Sequence, residues 1–278
     1  MNIRVFREAF ESVLQEVLKD EAKTSIGEPV SRDAHGHEVG RPIEDWLVRI
    51  LNEYEVGTRS FLSHEFIENV LKAFGFKERQ NIDKFFQRPW WASLLVTKMQ
   101  LTSFLRGEAV PRWQQAGADI VVFLGDDLET EFDKVVLLNV KGHNINRKSR
   151  PPNIMSAQRL LYFFNGILQR PASDLDKCNL WFVGTNYSIE GTRAKIEELY
   201  LRDLFLLDLE FLPQINFDAA IQLQWHVHDM VERRQTRLDF IESLADKFIS
   251  EWRNHMNRKN EKYEELVTEI KGLITARR

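Results

Sequence analysis

Apolar residues recur at helical spacing from residue 3 to residue 19, where Phe6, Phe10, Val13, Leu14, Val17 and Leu18 line one face and predict an amphipathic helix. Residues 24 to 41 are polar, with three glycines and a proline, and predict a loop. Pro42 then stands where a first-turn proline belongs, with Glu44 on that turn, and Ile43, Trp46, Leu47, Ile50 and Leu51 give a second helix its buried stripe. The pattern stays helical from 61 to 107, with a break at Gly75, a helix start at Pro89, and Trp90 and Trp91 assigned to the core. After Gly117 the period changes. Ile120 to Leu124 and Lys134 to Lys141 read as two strands joined by an acidic turn that begins Gly125-Asp126-Asp127, and their valine and leucine content suggests a sheet covered on both faces.

Residues 156 to 168 return to a helical pattern, and 179 to 188 read as a further strand. In IQLQWHVHD, 221 to 229, Ile221, Leu223, Trp225 and Val227 alternate strictly with Gln222, Gln224, His226 and His228, which predicts a strand with one face in the core and one polar. The tail from about 231 to 274 is helical, with a stripe of Leu238, Ile241, Leu244, Phe248 and Trp252. No repeat or low-complexity linker divides the chain. The expectation is one mixed α/β domain over 1–278: a mostly helical part at 1–110, a sheet at 111–230 and a helical segment at 231–278.

With 43% hydrophobic residues in 278 positions, the chain can bury a large core. No run of about 18 uncharged apolar residues exists to span a bilayer, and the first helix lacks the pattern of an export signal. The one cysteine, Cys178, excludes an internal disulfide and any cysteine-rich zinc cage, so a cytoplasmic protein with no membrane partner is expected. The formal net charge of −4 argues mildly against a general polyanion binder, but the charge is unevenly spread. Between Asp133 and Asp174 there is no acid, while Lys134, Lys141, Arg147, Lys148, Arg150, Arg159 and Arg170 fall in that interval. A solvated basic loop balanced by distant acids is the plainer reading.

Side chains two apart on a strand share a face, so Asn139 and Lys141 project together, and His143 follows if the strand persists. Asp119 opens the partner strand. An acid, an amide oxygen and a lysine converging at one end of a hairpin suit a hard divalent cation such as Mg²⁺, which takes one or two carboxylates plus phosphate and water. The lysine would then orient a water and offset charge on a phosphate under attack. Taken alone the pattern is weak, because an edge lysine on a solvated hairpin looks the same.

Three segments strengthen it: Ala118-Asp119-Ile120, Leu137-Leu138-Asn139-Val140-Lys141, and Pro152-Asn153-Ile154-Met155-Ser156-Ala157. Together they resemble the catalytic strand and following loop of the HindII-type restriction endonucleases, within the PD-(D/E)xK nuclease superfamily. GHEVGRPIEDWL at 36–47 and INFDAAIQLQWHVHD at 215–229 are similar to the same family, so the resemblance runs in order from 36 to 229. It implies a restriction-endonuclease-like central mixed sheet flanked by helices, with helical additions at both ends. It also implies Mg²⁺ as cofactor, cleavage of both strands of a short palindromic DNA site, a homodimer, and a DNA methyltransferase of the same specificity elsewhere in the system.

Carried over, Asp119 is the metal-binding acid, Lys141 the catalytic lysine and the Val140 carbonyl a further metal ligand. Asn139 departs from the family pattern, which has a carboxylate there. Three readings stay open: Asn139 is a ligand through its oxygen; another acid, Glu44, Asp126 or Asp133, substitutes; or the chain binds DNA and cuts poorly. Arg147, Lys148 and Arg150 follow the catalytic strand and would hold phosphates. Asn153 and Asn216 match base-reading positions, and Gln222, Gln224 and His226 would line the cleft, since amides suit adenine edges. Arg150 replaces a residue type that the family pushes into the base stack. His226 and His228 also have zinc-like spacing, without an evident third ligand. The rival functions are a non-cleaving DNA-binding protein on a nuclease scaffold and an interaction protein using the charged C-terminal helix.

Overall fold

The computed structural model describes residues 3–26, 37–73, 85–108, 117–147, 150–218 and 221–277, with side chains described except at 37–38 and 273–277. Five strands make the central sheet: β1 (Arg59–Leu62), β2 (Ile120–Phe123), β3 (Val135–Asn144), β5 (Leu180–Glu190) and β6 (Arg193–Asp203), side by side in that order. β2 and β3 form the expected antiparallel hairpin, β5 runs parallel to β3, and β6 turns back antiparallel. The sheet is therefore mixed. A second sheet of three short antiparallel strands, β4 (Asn153–Ser156), β8 (Gln222–Gln224) and β7 (Gln214–Asn216), stands beside it.

Alternation along each strand sends apolar side chains to both faces, so each face needs its own cover. One face, through Ile120, Val122, Val136, Leu138 and Val183, packs on Phe6, Phe10 and Leu14 of α1 (Ile3–Val17) and on Ile43, Leu47 and Ile50 of α3 (His37–Glu53), with the short α2 (Glu21–Thr24) between them in sequence. The other face, through Val121, Phe123, Val135, Leu137 and Phe182, packs on α4 (Ser63–Ala73), α5 (Ala92–Leu95) and α7 (Ala157–Leu168), and on Phe240 and Leu244 of α9 (Arg237–Arg277). Two further helices are α6 (Lys98–Leu105) and α8 (Ala172–Lys177). Trp90 and Trp91 are buried as expected, and their indole N–H groups donate to the carbonyls of Asp133 and Phe132 at 2.9 and 2.8 Å. No helix among the described residues is long and apolar enough to cross a membrane.

Several local readings change. α3 begins at His37, so Pro42 lies inside the helix and Glu44 beyond its first turn. The stretch from 61 opens on the last two residues of the edge strand β1, whose pairing with β2 overrides the helical pattern that follows. The alternating run 221–229 alternates in burial as expected, with Leu223, Trp225 and Val227 buried, but its strand ends at Gln224 and a 3-10 turn covers Val227–Asp229.

Candidate active site

β2 pairs Ile120 with Leu138, so Asp119, one residue earlier, stands opposite Asn139 at the open end of the hairpin. The Asp119 N–H donates to the Leu138 carbonyl at 2.8 Å, and the Asp119 carbonyl accepts from the Ser63 N–H at 3.0 Å. Ser63 Oγ donates to the adjacent Ala118 carbonyl at 2.7 Å, so the start of α4 clamps this backbone. Asn139, Lys141 and His143 share the face of Leu137. The Asp119 Oδ2 accepts the Val140 N–H at 2.7 Å and lies 3.7 Å from Lys141 Nζ. A charge-assisted bond to the backbone thus fixes the carboxylate, while the ammonium stands just beyond direct hydrogen-bond reach.

Asn139 is 6% exposed, and its Oδ1 is buried without a hydrogen-bond partner. A buried amide oxygen left unmatched costs about 1–3 kcal/mol unless something else satisfies it. A cation would. The donor set suits a hard ion that accepts few protein oxygens: the Asp119 carboxylate, the Asn139 amide oxygen and backbone carbonyls of β3. Among the described residues, no three His, Cys, Asp or Glu side chains gather as a metal cage. The Val140 side chain is buried in the core and its N–H is spent on Asp119, which leaves its carbonyl for that role.

The structure separates the substitute acids. Asp126 and Asp133 belong to the turn that precedes Val135, roughly 13 Å along β3 from Asn139 at ordinary strand rise, and Asp133 pairs with Lys177 at 2.9 Å. They are not at the site. Glu44 rides on α3, next to Ile43, whose Cδ1 would lie 3.0 Å from a Cβ built on Gly142. The helix therefore crosses beside the residue that follows Lys141, on the opposite sheet face from Asn139.

A group of imidazoles extends the site beyond what the sequence pattern showed. His143 has ring centroids 4.7 Å from His226 and 5.0 Å from His228, and the latter two stack at 5.0 Å. His143 is thus a third imidazole beside the H-x-H pair. Burial, then the neighbouring His226 and His228, hold the His143 imidazole below its usual range. Next to it, Glu198 Oε2 accepts from Tyr200 OH and Asn186 Nδ2, both at 2.7 Å. These bonds, with His228 nearby, lower the Glu198 carboxyl, while burial and that same bond push the Tyr200 phenol up to about 12.

The small sheet gathers the expected amides. In register, Asn153 lies opposite Gln224, which lies opposite Gln214, and beyond the apolar row of Met155, Leu223 and Ile215 a second polar row holds Ser156, Gln222 and Asn216. Gln224 Nε2 donates to Asn153 Oδ1 at 2.9 Å, and Gln214 Nε2 donates to Gln224 Oε1. Asn216 Oδ1 already accepts the Asp218 N–H at 3.0 Å. A cleft of about 510 Å³ runs beside this sheet, lined by Arg150, Gln214, Asn216 and Gln224 on one side and by Arg258, Lys259 and Lys262 of α9 on the other. Arg147 closes a turn at the end of β3, with its N–H on the Asn144 carbonyl, and Lys148 lies outside the described residues. His226 sits with His143 of β3 rather than in the amide rows.

Comparison with known proteins finds relatives over most of the chain. The family model described as restriction endonuclease HincII matches residues 17–269. Two curated relatives, the type II restriction enzymes HindII and HincII of Haemophilus influenzae, are each 23% identical, over 246 and 249 residues, covering 86% of this chain and 92% of the relative. A solved structure, the NlaIV restriction endonuclease, aligns over 89% of each chain at 14% identity with a TM-score of 0.40.

Proposed function

The chain belongs to the HincII restriction endonuclease family, and from that membership we propose a Mg²⁺-dependent type II endonuclease that cuts both strands of a short palindromic DNA site as a homodimer. The observation that carries this reading is the placement of Lys141 Nζ 3.7 Å from Asp119 Oδ2, beside the unmatched oxygen of Asn139. Asp119, Asn139 and the Val140 carbonyl would hold the cation. Mg²⁺, when bound, polarises the phosphate and eases deprotonation of water. Lys141 orients the attacking water and offsets the charge that develops on the phosphate oxygens as one P–O bond forms and another breaks. Arg147, Lys148 and Arg150 hold backbone phosphates. Asn153, Asn216, Gln222 and Gln224 read base edges in the cleft, and His226 meets the DNA near the cut. Half-sites of palindromic DNA mirror two subunits, so a twofold dimer follows from the substrate. A methyltransferase of matching specificity would protect the host DNA.

Incubation of the chain with mixed-sequence plasmid and Mg²⁺ tests the reading. Discrete fragments are expected, and Lys141→Ala is expected to abolish them while metal-independent binding persists. Unchanged cutting by that variant refutes the site. Asn139 favours one second reading, a DNA-binding protein that cuts poorly, for which retarded but intact DNA is the signature.

A further inference from the structure

The last helix outruns the body that it packs on. α9 spans 41 residues, roughly 60 Å at 1.5 Å per residue. Its first turns bury Phe240, Ile241 and Leu244. Farther along, Phe217 packs on Phe248, Trp252 and His255 with ring centroids 5.3 to 5.5 Å away, and Asp218 pairs with Lys259 at 2.6 Å. From Asn260 to Gly272 every residue is exposed.

An exposed helix with no use for apolar residues would carry few of them. This one carries Ile249, Met256, Tyr263 and Ile270 at strict seven-residue spacing, with Leu266 three after Tyr263, all between 39% and 58% exposed. Every residue at the three outer positions of that heptad, from Ser250 to Lys271, is polar or charged. A 3.5-residue seam backed by a hydrophilic face is the pattern of a helix that packs lengthwise on another helix. So long a run of large apolar side chains in water marks an interface.

We propose that this seam is where two copies of the chain join, as an antiparallel pair of α9 helices. Charge selects the direction. A parallel pair would set Lys259 against the partner's Lys259 in the seam. An antiparallel pair centred between Tyr263 and Leu266 sets Lys259 against the partner's Ile270, Tyr263 against the partner's Leu266, and Lys262 beside the partner's Glu269. Each contact is then made twice about a twofold axis, as a closed dimer requires. The inference deepens the reading above and rests on it for the twofold assembly. It also places Arg258 and Lys262, which line the cleft beside the amide sheet, next to the dimer axis.

Sedimentation equilibrium or light scattering on the full chain tests it, with plasmid cleavage followed separately on the same samples. The wild-type chain should run at twice its 32.8 kDa mass at micromolar concentration. Leu266→Glu with Ile270→Glu should weaken association about tenfold or more, while circular dichroism and melting of the monomeric part stay intact. Lys262→Glu should weaken it, and adding Glu269→Lys should restore it. A dimer indifferent to all of these substitutions overturns the seam and leaves the nuclease reading standing. A monomeric wild-type chain overturns the seam and the twofold assembly together, and cleavage by that monomer would still support the site.

Discussion

Val227 lies directly on Gly184: a Cβ built on the glycine would come 2.6 Å from the valine Cβ. Gly184 pairs with Lys141 across β3 and β5, so the turn Val227–Asp229 settles beside that lysine because β5 has no side chain there. That turn carries His228 and follows His226. Gly184→Ala must push it off the sheet, at a cost of about 1–3 kcal/mol for an overpacked core. Denaturant midpoints should fall accordingly, and Val227→Ala in the same chain should recover part of the loss. An unchanged midpoint would show that the turn yields freely.

Asn139→Asp should tighten the cation site. A carboxylate replaces a neutral oxygen that has no other partner, and added ligand charge raises affinity for hard cations. Calorimetric titration with Mg²⁺ should give a dissociation constant lower by about tenfold, and half-maximal cutting should need less Mg²⁺. Without the metal the same variant should be less stable than the parent, because a second carboxylate is then buried near Asp119.

Acid should weaken the fold through His143. Its folded-state affinity for protons is depressed by burial and by the imidazoles of His226 and His228, with Asp229 opposing. Above the unfolded value of about 6.5 the ring is neutral in both states and costs nothing. As pH falls below that value, the unfolded chain takes up more protons than the folded one, and stability declines. The drop in melting temperature between pH 7.5 and 5.5 should therefore be smaller in His143→Gln than in the parent. Equal drops would remove His143 from the account.

Gln224 sits at the centre of the amide row, accepting from Gln214 and donating to Asn153. Gln224→Leu should cost roughly 1–3 kcal/mol of discrimination at one base pair. Fluorescence anisotropy should show weaker binding to the cognate duplex with little change on unrelated DNA. A uniform loss on both would mean that the row supports the fold rather than reads the site.

Much of the site was legible because its parts are close in sequence. Asp119 and Lys141 belong to one hairpin, whose register follows from two apolar runs and the turn between them, and alternation then puts Asn139 and Lys141 on one face. The strand β6 was not legible: RAKIEELYLRD mixes charge with leucines in a way that suits either period, and its pairing with β5 decides the matter. The same holds for β1 and β7, each too short to show a period of its own. The Glu198–Tyr200–Asn186 network went unseen with β6.

By itself, then, the order of residues determined the hairpin and the helical stripes, which follow from local periodicity, and the acid-free basic interval and the family, which are read along the chain without knowing how it folds. Only the tertiary structure decided that His143 meets His226 and His228 from 83 and 85 residues away, that Asp126 and Asp133 fall at the wrong end of β3, and that Asn139 keeps an oxygen without a partner. Contacts between distant segments depend on which strands pair and which face each helix covers, and no local periodicity encodes that choice.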